Sequence, residues 1–173
     1  SKEYQITISK FIDDAKEIEI DCVGKDGVVK AIVISEHIEN AGVHSGDASI
    51  VLPPQKIYME TLRKLEIIAR DVARALMITG PFNIQCLAKD NEVSVIEANL
   101  RSSRTFPFIS KVTGVNLIKL STDAFFNKKI APVNINLTDY SFVAAKVAQF
   151  SFARLTGADP VLDVEMASTG EVA

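Results

Sequence analysis

Two pairs of strand-length runs in this chain are joined by turns too short for anything but antiparallel pairing. Residues 17–23 alternate Glu17, Glu19 and Asp21 with Ile18, Ile20 and Cys22, the period-two pattern of a half-buried strand. The turn GKDG (24–27) follows, and VVKAIVISEHI returns as the second strand of a hairpin. Farther on, FNIQCLAK and VSVIEANL form a second hairpin around KDNE. ASIVLPP reads as a short strand stopped by two prolines, and SFVAAKVAQF (141–150) as a last strand. Between the hairpins, Tyr58, Leu62, Leu65, Ala69, Val72 and Leu76 recur at steps of four and three. That spacing predicts an amphipathic helix of about five turns. A further helix is expected over 115–126, after Gly114. Strands outnumber helices and hairpins join them, so the expected class is α+β, a mostly antiparallel sheet with helices on one face.

Composition narrows the partners. At 173 residues and 47% hydrophobic, the chain can bury one well-packed core or form one lobe of a larger unit. A net charge of −3, with 19 Lys and Arg scattered along the chain, gives no footprint for nucleic acid. No apolar run approaches the roughly 18 residues of a membrane span. The start, SKEYQITISKF, lacks the basic and apolar regions of a signal peptide. Without an initial Met, and with the abrupt end STGEVA, both termini read as cuts through a longer polypeptide. Cys22 and Cys86 lie in apolar strand runs and fit small buried residues of a reducing compartment better than a disulfide.

The chemistry gathers at residues 95–104, VIEANLRSSR. Glu97, Asn99, Arg101 and Arg104 stand at or just past the end of a core-like strand, where unpaired burial costs several kcal/mol each. A three-residue loop, Asp90-Asn91-Glu92, puts Lys89 opposite Val93, Gln85 opposite Glu97 and Asn83 opposite Asn99. The polar side chains then share one face, with Ile84, Cys86, Ile96 and Ala98 on the other. A two-residue loop would face Gln85 with Ile96 and scatter the group. A carboxylate with amides and no His or Cys suits a hard cation that borrows phosphate oxygens, Mg²⁺ or Mn²⁺ rather than zinc. Arg101 and Arg104 could grip other oxygens of the same phosphates. For any one of these residues a satisfied polar network is the commoner explanation. The four together at one strand end favour a ligand.

The loop ENAGVHSGD carries Gly42 and Gly46 around His44 and Ser45 and can bring backbone N–H groups close to phosphate or adenine, although most such loops are turns. His44 alone reads as a polar loop residue. Glu17, Glu19 and Asp21 fall on one strand face. Two of the three are expected to be solvated, while one carboxylate is enough for a ribose diol.

Five blocks, KFIDDAKEIEIDCV, ISEHIENAGVHSGD, GPFNIQCLAK, VIEANLRSSRTFPFISKVTGV and EMASTGEV, stand in an order and spacing that closely resemble the carbamoyl-phosphate synthetase large chain. The resemblance covers essentially the whole sequence. It implies the C-terminal lobe of the second of two ATP-grasp modules, the one that phosphorylates carbamate, with 1–130 as nucleotide and metal lobe and 131–173 leading towards the next domain. Lys10, Ile12 and Glu17 are implied to line the adenosine site, with Glu17 on the ribose. Gly42, Val43, His44 and Ser45 would form a nucleotide-contacting loop. Gln85, Glu97 and Asn99 would hold two divalent ions, Mg²⁺ or Mn²⁺, with Gln85 and Glu97 also touching ATP. Arg101 and Arg104 would hold the phosphoryl group in transfer. Leu100, often proline in relatives, should point away from the metals.

Implied partners are ATP and carbamate, the remaining domains of the large chain and a glutamine amidotransferase subunit or domain, with neither nucleic acid nor membrane. The implied compartment is the cytoplasm, with the mitochondrion as the alternative. The family's other ATP-grasp lobe has no counterpart in this sequence, so the chain alone is expected to be inactive. Another carboxylase-type ATP-grasp ligase and a non-catalytic ATP-grasp scaffold remain as rival readings.

Overall fold

The computed structural model describes residues 6, 8, 10–126, 128–150, 155–157, 159–161 and 163–164. Its elements run β1 (Lys16–Lys25), β2 (Val28–His37), β3 (Ile50–Leu52), α1 (Met59–Ala75), β4 (Gly80–Lys89), β5 (Glu92–Asn99), α2 (Phe106–Thr113), α3 (Leu117–Phe125) and β6 (Ala144–Lys146). The six strands form one sheet in the order β5-β4-β1-β2-β3-β6, and every neighbouring pair is antiparallel. The motif EMASTGEV at 165–172 lies outside the described residues.

Both hairpins turn through two residues with positive φ, Asp26 (50°) and Gly27 (76°), then Asp90 (50°) and Asn91 (64°). Such turns match the right-handed twist of the strands they join, and Asp, Asn and Gly tolerate the left-handed region they require. The second turn is therefore shorter than the three-residue loop expected. Near the turn Lys89 pairs with Glu92 and Cys86 with Val95. A bulge between Gln85 and Cys86 then shifts the register by one, so that Gln85 faces Glu97 and Asn83 faces Asn99. The extra residue, Ile96, lies in β5 and is half exposed. The pairings expected at the site end thus form, and the bulge produces them rather than the loop length.

Alternation along β1 and β2 sends side chains to two different cores. Ile18, Ile20, Cys22 and Ile34 pack with Phe82, Ile84 and Cys86 beneath Leu65, Ala69 and Ala73 of α1. Tyr58 and Leu76, the ends of the predicted stripe, stay exposed. On the opposite face Val23, Ala31, Val33 and Leu52 pack against Phe106 and Ile109 of α2 and Leu117 and Ala124 of α3. Helices therefore sit on both faces: the one-face expectation describes α1, while α2 and α3 cover one end of the other face. The α+β class and the antiparallel sheet are as expected. Among the described residues, no helix is long and apolar enough to cross a membrane.

The predicted helix over 115–126 is Leu117–Phe125, started by Asn116, whose side chain accepts from Lys119 N at 2.8 Å. In front of it stands α2, absent from the sequence reading although Pro107 in its first turn and Gly114 at φ 70° beyond its end are ordinary helix punctuation. Of the strand expected over 141–150, only Ala144–Lys146 pairs, at the outer edge of β3.

Candidate functional site

β1 lies between β2 and β4, so its polar face lies within the sheet rather than at an edge. Register carries that face outward in two parallel rows. Glu19 faces Gln85, which faces Glu97; Asp21 faces Asn83, which faces Asn99. Burial falls along each row. Glu19 and Asp21 are fully buried and Asn83 nearly so, Gln85 and Asn99 are intermediate, and Glu97 is exposed. The outer end is thus open to a ligand while its root is fixed in the protein.

At that open end Asn99 Nδ2 donates to Glu97 Oε1 at 2.8 Å. Arg101 Nη2 approaches Asn99 Oδ1 at 3.5 Å, and its Nη1 donates to Ser102 O at 3.2 Å. The structure therefore brings Gln85, Glu97, Asn99 and Arg101 together at one edge of the sheet. Arg104, exposed, lies in the turn before α2. Among the described residues no three His, Cys, Asp or Glu side chains gather as a metal cage. One carboxylate with amide oxygens fits a cation that completes its shell with phosphate oxygens and water.

The glycine loop reaches the same face from β2. Gly42 N donates to Glu17 Oε2 at 2.9 Å, and Gly46 N donates to His44 Nδ1 at 3.0 Å. Gly42 has φ 109°, a conformation that strains any side chain, and a Cβ there would stand 2.8 Å from a Val164 methyl and push it aside. Val43 is buried, and Lys146 Nζ donates to Ser45 O at 3.3 Å. Lys10 and Ile12 line a cavity of about 490 Å³ with Ala15, Leu87, Lys89 and Ser94. Leu87 is the cross-strand partner of Glu17. The residues singled out for a nucleotide thus fall around one end of β1, although Glu17 is largely buried and anchors the loop.

The acidic strand face departs from expectation. Glu17, Glu19 and Asp21 are 4%, 0% and 0% exposed, so this is no solvated face. Alternation alone reads the same for an edge strand and for a central strand whose second face is covered, and here Thr105 before α2, the glycine loop and the Lys146 side chain reach that face. The sequence reading also missed the buried partners. Glu19 Oε1 lies 3.3 Å from His37 Nε2, and its Oε2 accepts from Thr105 Oγ1 at 2.9 Å. Burial alone would raise the Glu19 pKa, but His37, Thr105 and Ser45 together hold it below the ordinary value. Asp21 Oδ1 accepts from Asn83 Nδ2 at 2.9 Å, while Asp21 Oδ2, Ser35 Oγ and His37 Nδ1 have no hydrogen-bond partner among the described residues. Burial, then the Glu19 charge beside it, pushes the Asp21 pKa up to about 7.

A measurable pH dependence follows from Asp21. Its folded-state pKa lies above the ordinary 3.8, so its contribution to stability is complete below pH 3.8 and is lost as pH rises through about 7. Asp21→Asn mimics the protonated form and keeps the acceptor for Asn83. It is expected to stabilise the fold by roughly 2 kcal/mol or more at pH 8 and to change little at pH 4. Urea midpoints at the two pH values check this. Equal destabilisation at both would show that the charge state of Asp21 is not what matters.

Comparison with known proteins gives the same frame. The family described as carbamoyl-phosphate synthase L chain, ATP binding domain, matches residues 2–130. The chain is 55% identical to the multifunctional protein URA2 of Saccharomyces cerevisiae, across 100% of its own length and 8% of that protein. It is 53% identical to the multifunctional protein CAD of Squalus acanthias, with coverage of 100% and 8%. With the carbamoyl phosphate synthase arginine-specific large chain of Cutaneotrichosporon cutaneum the identity is 49%, with coverage of 100% and 15%. The chain thus spans only 8–15% of the length of these relatives.

Among solved structures, the biotin carboxylase subunit of pyruvate carboxylase matches with a TM-score of 0.62 at 19% identity, covering 80% of this chain and 31% of that one. The biotin carboxylase domain of Hydrogenobacter thermophilus 2-oxoglutarate carboxylase, in complex with MgADP, ADP and bicarbonate, matches with a TM-score of 0.61 at 15% identity, covering 80% and 30%. At such identity these two establish the fold alone, that of ATP-grasp biotin carboxylases.

Proposed function

This chain belongs to the carbamoyl-phosphate synthase L chain ATP-binding domain family, and from that premise we propose that it is the C-terminal lobe of a carbamate-phosphorylating ATP-grasp module. The reaction is carbamate plus ATP giving carbamoyl phosphate plus ADP. The observation that carries the reading is the convergence of Gln85, Glu97, Asn99 and Arg101 at the open end of two polar rows. Residues 1–130 serve as the nucleotide and metal lobe, and 131–173 lead towards the next domain.

Lys10 and Ile12 pack against the adenosine, with Glu17 on the ribose while it holds Gly42 in place. Gly42, Val43, His44 and Ser45 contact the nucleotide. Gln85, Glu97 and Asn99 would hold two ions, Mg²⁺ or Mn²⁺, and Gln85 and Glu97 would also touch ATP. Bound there, such ions would supply positive charge against the charge that develops on the phosphates. Arg101 and Arg104 present planar forks to the moving phosphoryl group and stabilise it through charge-assisted hydrogen bonds. Phosphoryl transfer of this kind rests on placement and charge, which is what a rigid sheet edge provides.

The partners are the other domains of the large chain and a glutamine amidotransferase, in the cytoplasm. A carboxylase-type ligase shares the fold, but those structures share 15–19% identity against 49–55% for the synthase relatives. A binding or scaffold module would have let the liganding residues decay, and Gln85, Glu97, Asn99, Arg101 and Arg104 are all present.

Titration of the intact parent with a non-hydrolysable ATP analogue tests the reading. Tight binding that requires Mg²⁺ is expected, whereas binding indifferent to the metal favours the scaffold. The 173-residue chain alone supplies one side of the nucleotide and is expected to form no carbamoyl phosphate. Detection of that product from the isolated chain would overturn the two-lobed requirement.

A further inference from the structure

Residues 100–105, Leu-Arg-Ser-Ser-Arg-Thr, join β5 to α2 and present Arg101 and Arg104 at the surface. The structure pins the last residue of this link. Thr105 is 1% exposed and occupies the N-cap position of α2. A threonine there usually turns its hydroxyl onto the first free N–H groups of the helix. Thr105 makes no such cap; its hydroxyl instead crosses to the sheet and donates to Glu19 Oε2 at 2.9 Å.

Glu19 is itself immobilised. It is fully buried at the middle of the sheet, its other oxygen lies 3.3 Å from the buried His37 Nε2, and its cross-strand neighbours are Gln85 and Ser35. Thr105 N donates to Ser103 Oγ at 3.1 Å and closes the turn that carries Arg104. The helix thus forgoes a side-chain cap, and the chain gains a fixed tie between the root of the polar rows and the residue next to Arg104.

Resting on the function proposed above, we propose that Thr105 and Glu19 are positioning residues that set the placement of Arg101 and Arg104 on the transferring phosphoryl group. Neither side chain touches substrate. Because the arginines act on the phosphoryl in transfer, slackening the tie should lower kcat and leave ground-state ATP binding intact.

The test uses the intact parent protein carrying Thr105→Val, an isostere without the hydroxyl, and Thr105→Ser, which restores it. Thr105→Val is expected to lower kcat for carbamoyl phosphate formation about 10²-fold, the scale of an ångström-sized misplacement, with KM for ATP unchanged. Thr105→Ser should recover most of that loss. Wild-type kcat in Thr105→Val, or an equal loss in kcat and ATP affinity, would overturn the proposal. Should Thr105→Val not fold, Thr105→Ala against Thr105→Ser decides by the same split, equal rates refuting the tie. Glu97→Gln assayed alongside separates the two readings. An inactive Glu97→Gln with an unaffected Thr105→Val refutes only the tie, and a fully active Glu97→Gln refutes the site itself.

Discussion

Glu97→Gln in the intact parent protein is expected to lower carbamoyl phosphate formation by about 10²–10³-fold while the melting temperature stays at the wild-type value. The second half of that expectation comes from the strand. Glu97 is exposed on β5, an edge strand, and its carboxylate accepts a hydrogen bond from its neighbour Asn99 rather than tying two elements together. A glutamine fills the same volume and still offers one oxygen to Asn99. What it removes is the negative charge at the outer end of the Glu19–Gln85–Glu97 row, the one carboxylate of the proposed ion-binding set. The substitution therefore separates charge from shape. A rate close to wild type would show that the cation, if bound, is held elsewhere.

Arg101→Ala is expected to cost about 10³-fold in kcat, the lower range seen when an arginine is withdrawn from a phosphoryl-transfer site. Arg101 is exposed, and the hydrogen bonds it makes go to Ser102 O next in the chain and Asn99 Oδ1 two residues before it, so the fold gains little from it. Arg101→Lys keeps the charge but loses the planar fork and should recover only a small part of the rate. Full recovery by lysine would mean that the site needs a point charge near Asn99 and no bidentate grip. Steady-state kinetics with carbamoyl phosphate quantified directly distinguishes the three enzymes.

Hairpins were legible in the sequence because their information is local: period-two alternation plus Asp, Gly and Asn at positions that need positive φ. The pairing of Gln85 with Glu97 was legible for the same reason, since polar side chains had to share a face. The device that creates it was not, because nothing in VSVIEANL marks Ile96 as the residue that bulges. Burial of Glu19 and Asp21 was hidden for a different reason. It depends on β1 being flanked by β2 and β4, and on Thr105, Ser45 and Lys146 arriving from 26 to 125 residues later in the chain. Local pattern carries no trace of such contacts. The helix Phe106–Thr113 was not legible because FPFISKVT is only 8 residues long, too short for a helical period to stand out.

Counting bound Mn²⁺ by electron paramagnetic resonance in the intact parent, with a non-hydrolysable ATP analogue present, reaches the proposed clasp most directly. Wild type and Glu97→Gln are compared at matched nucleotide occupancy. The predicted result is that the variant loses the ions of this module and keeps any held elsewhere in the protein. The contradicting result is the same number of ions bound with the same affinity in both proteins.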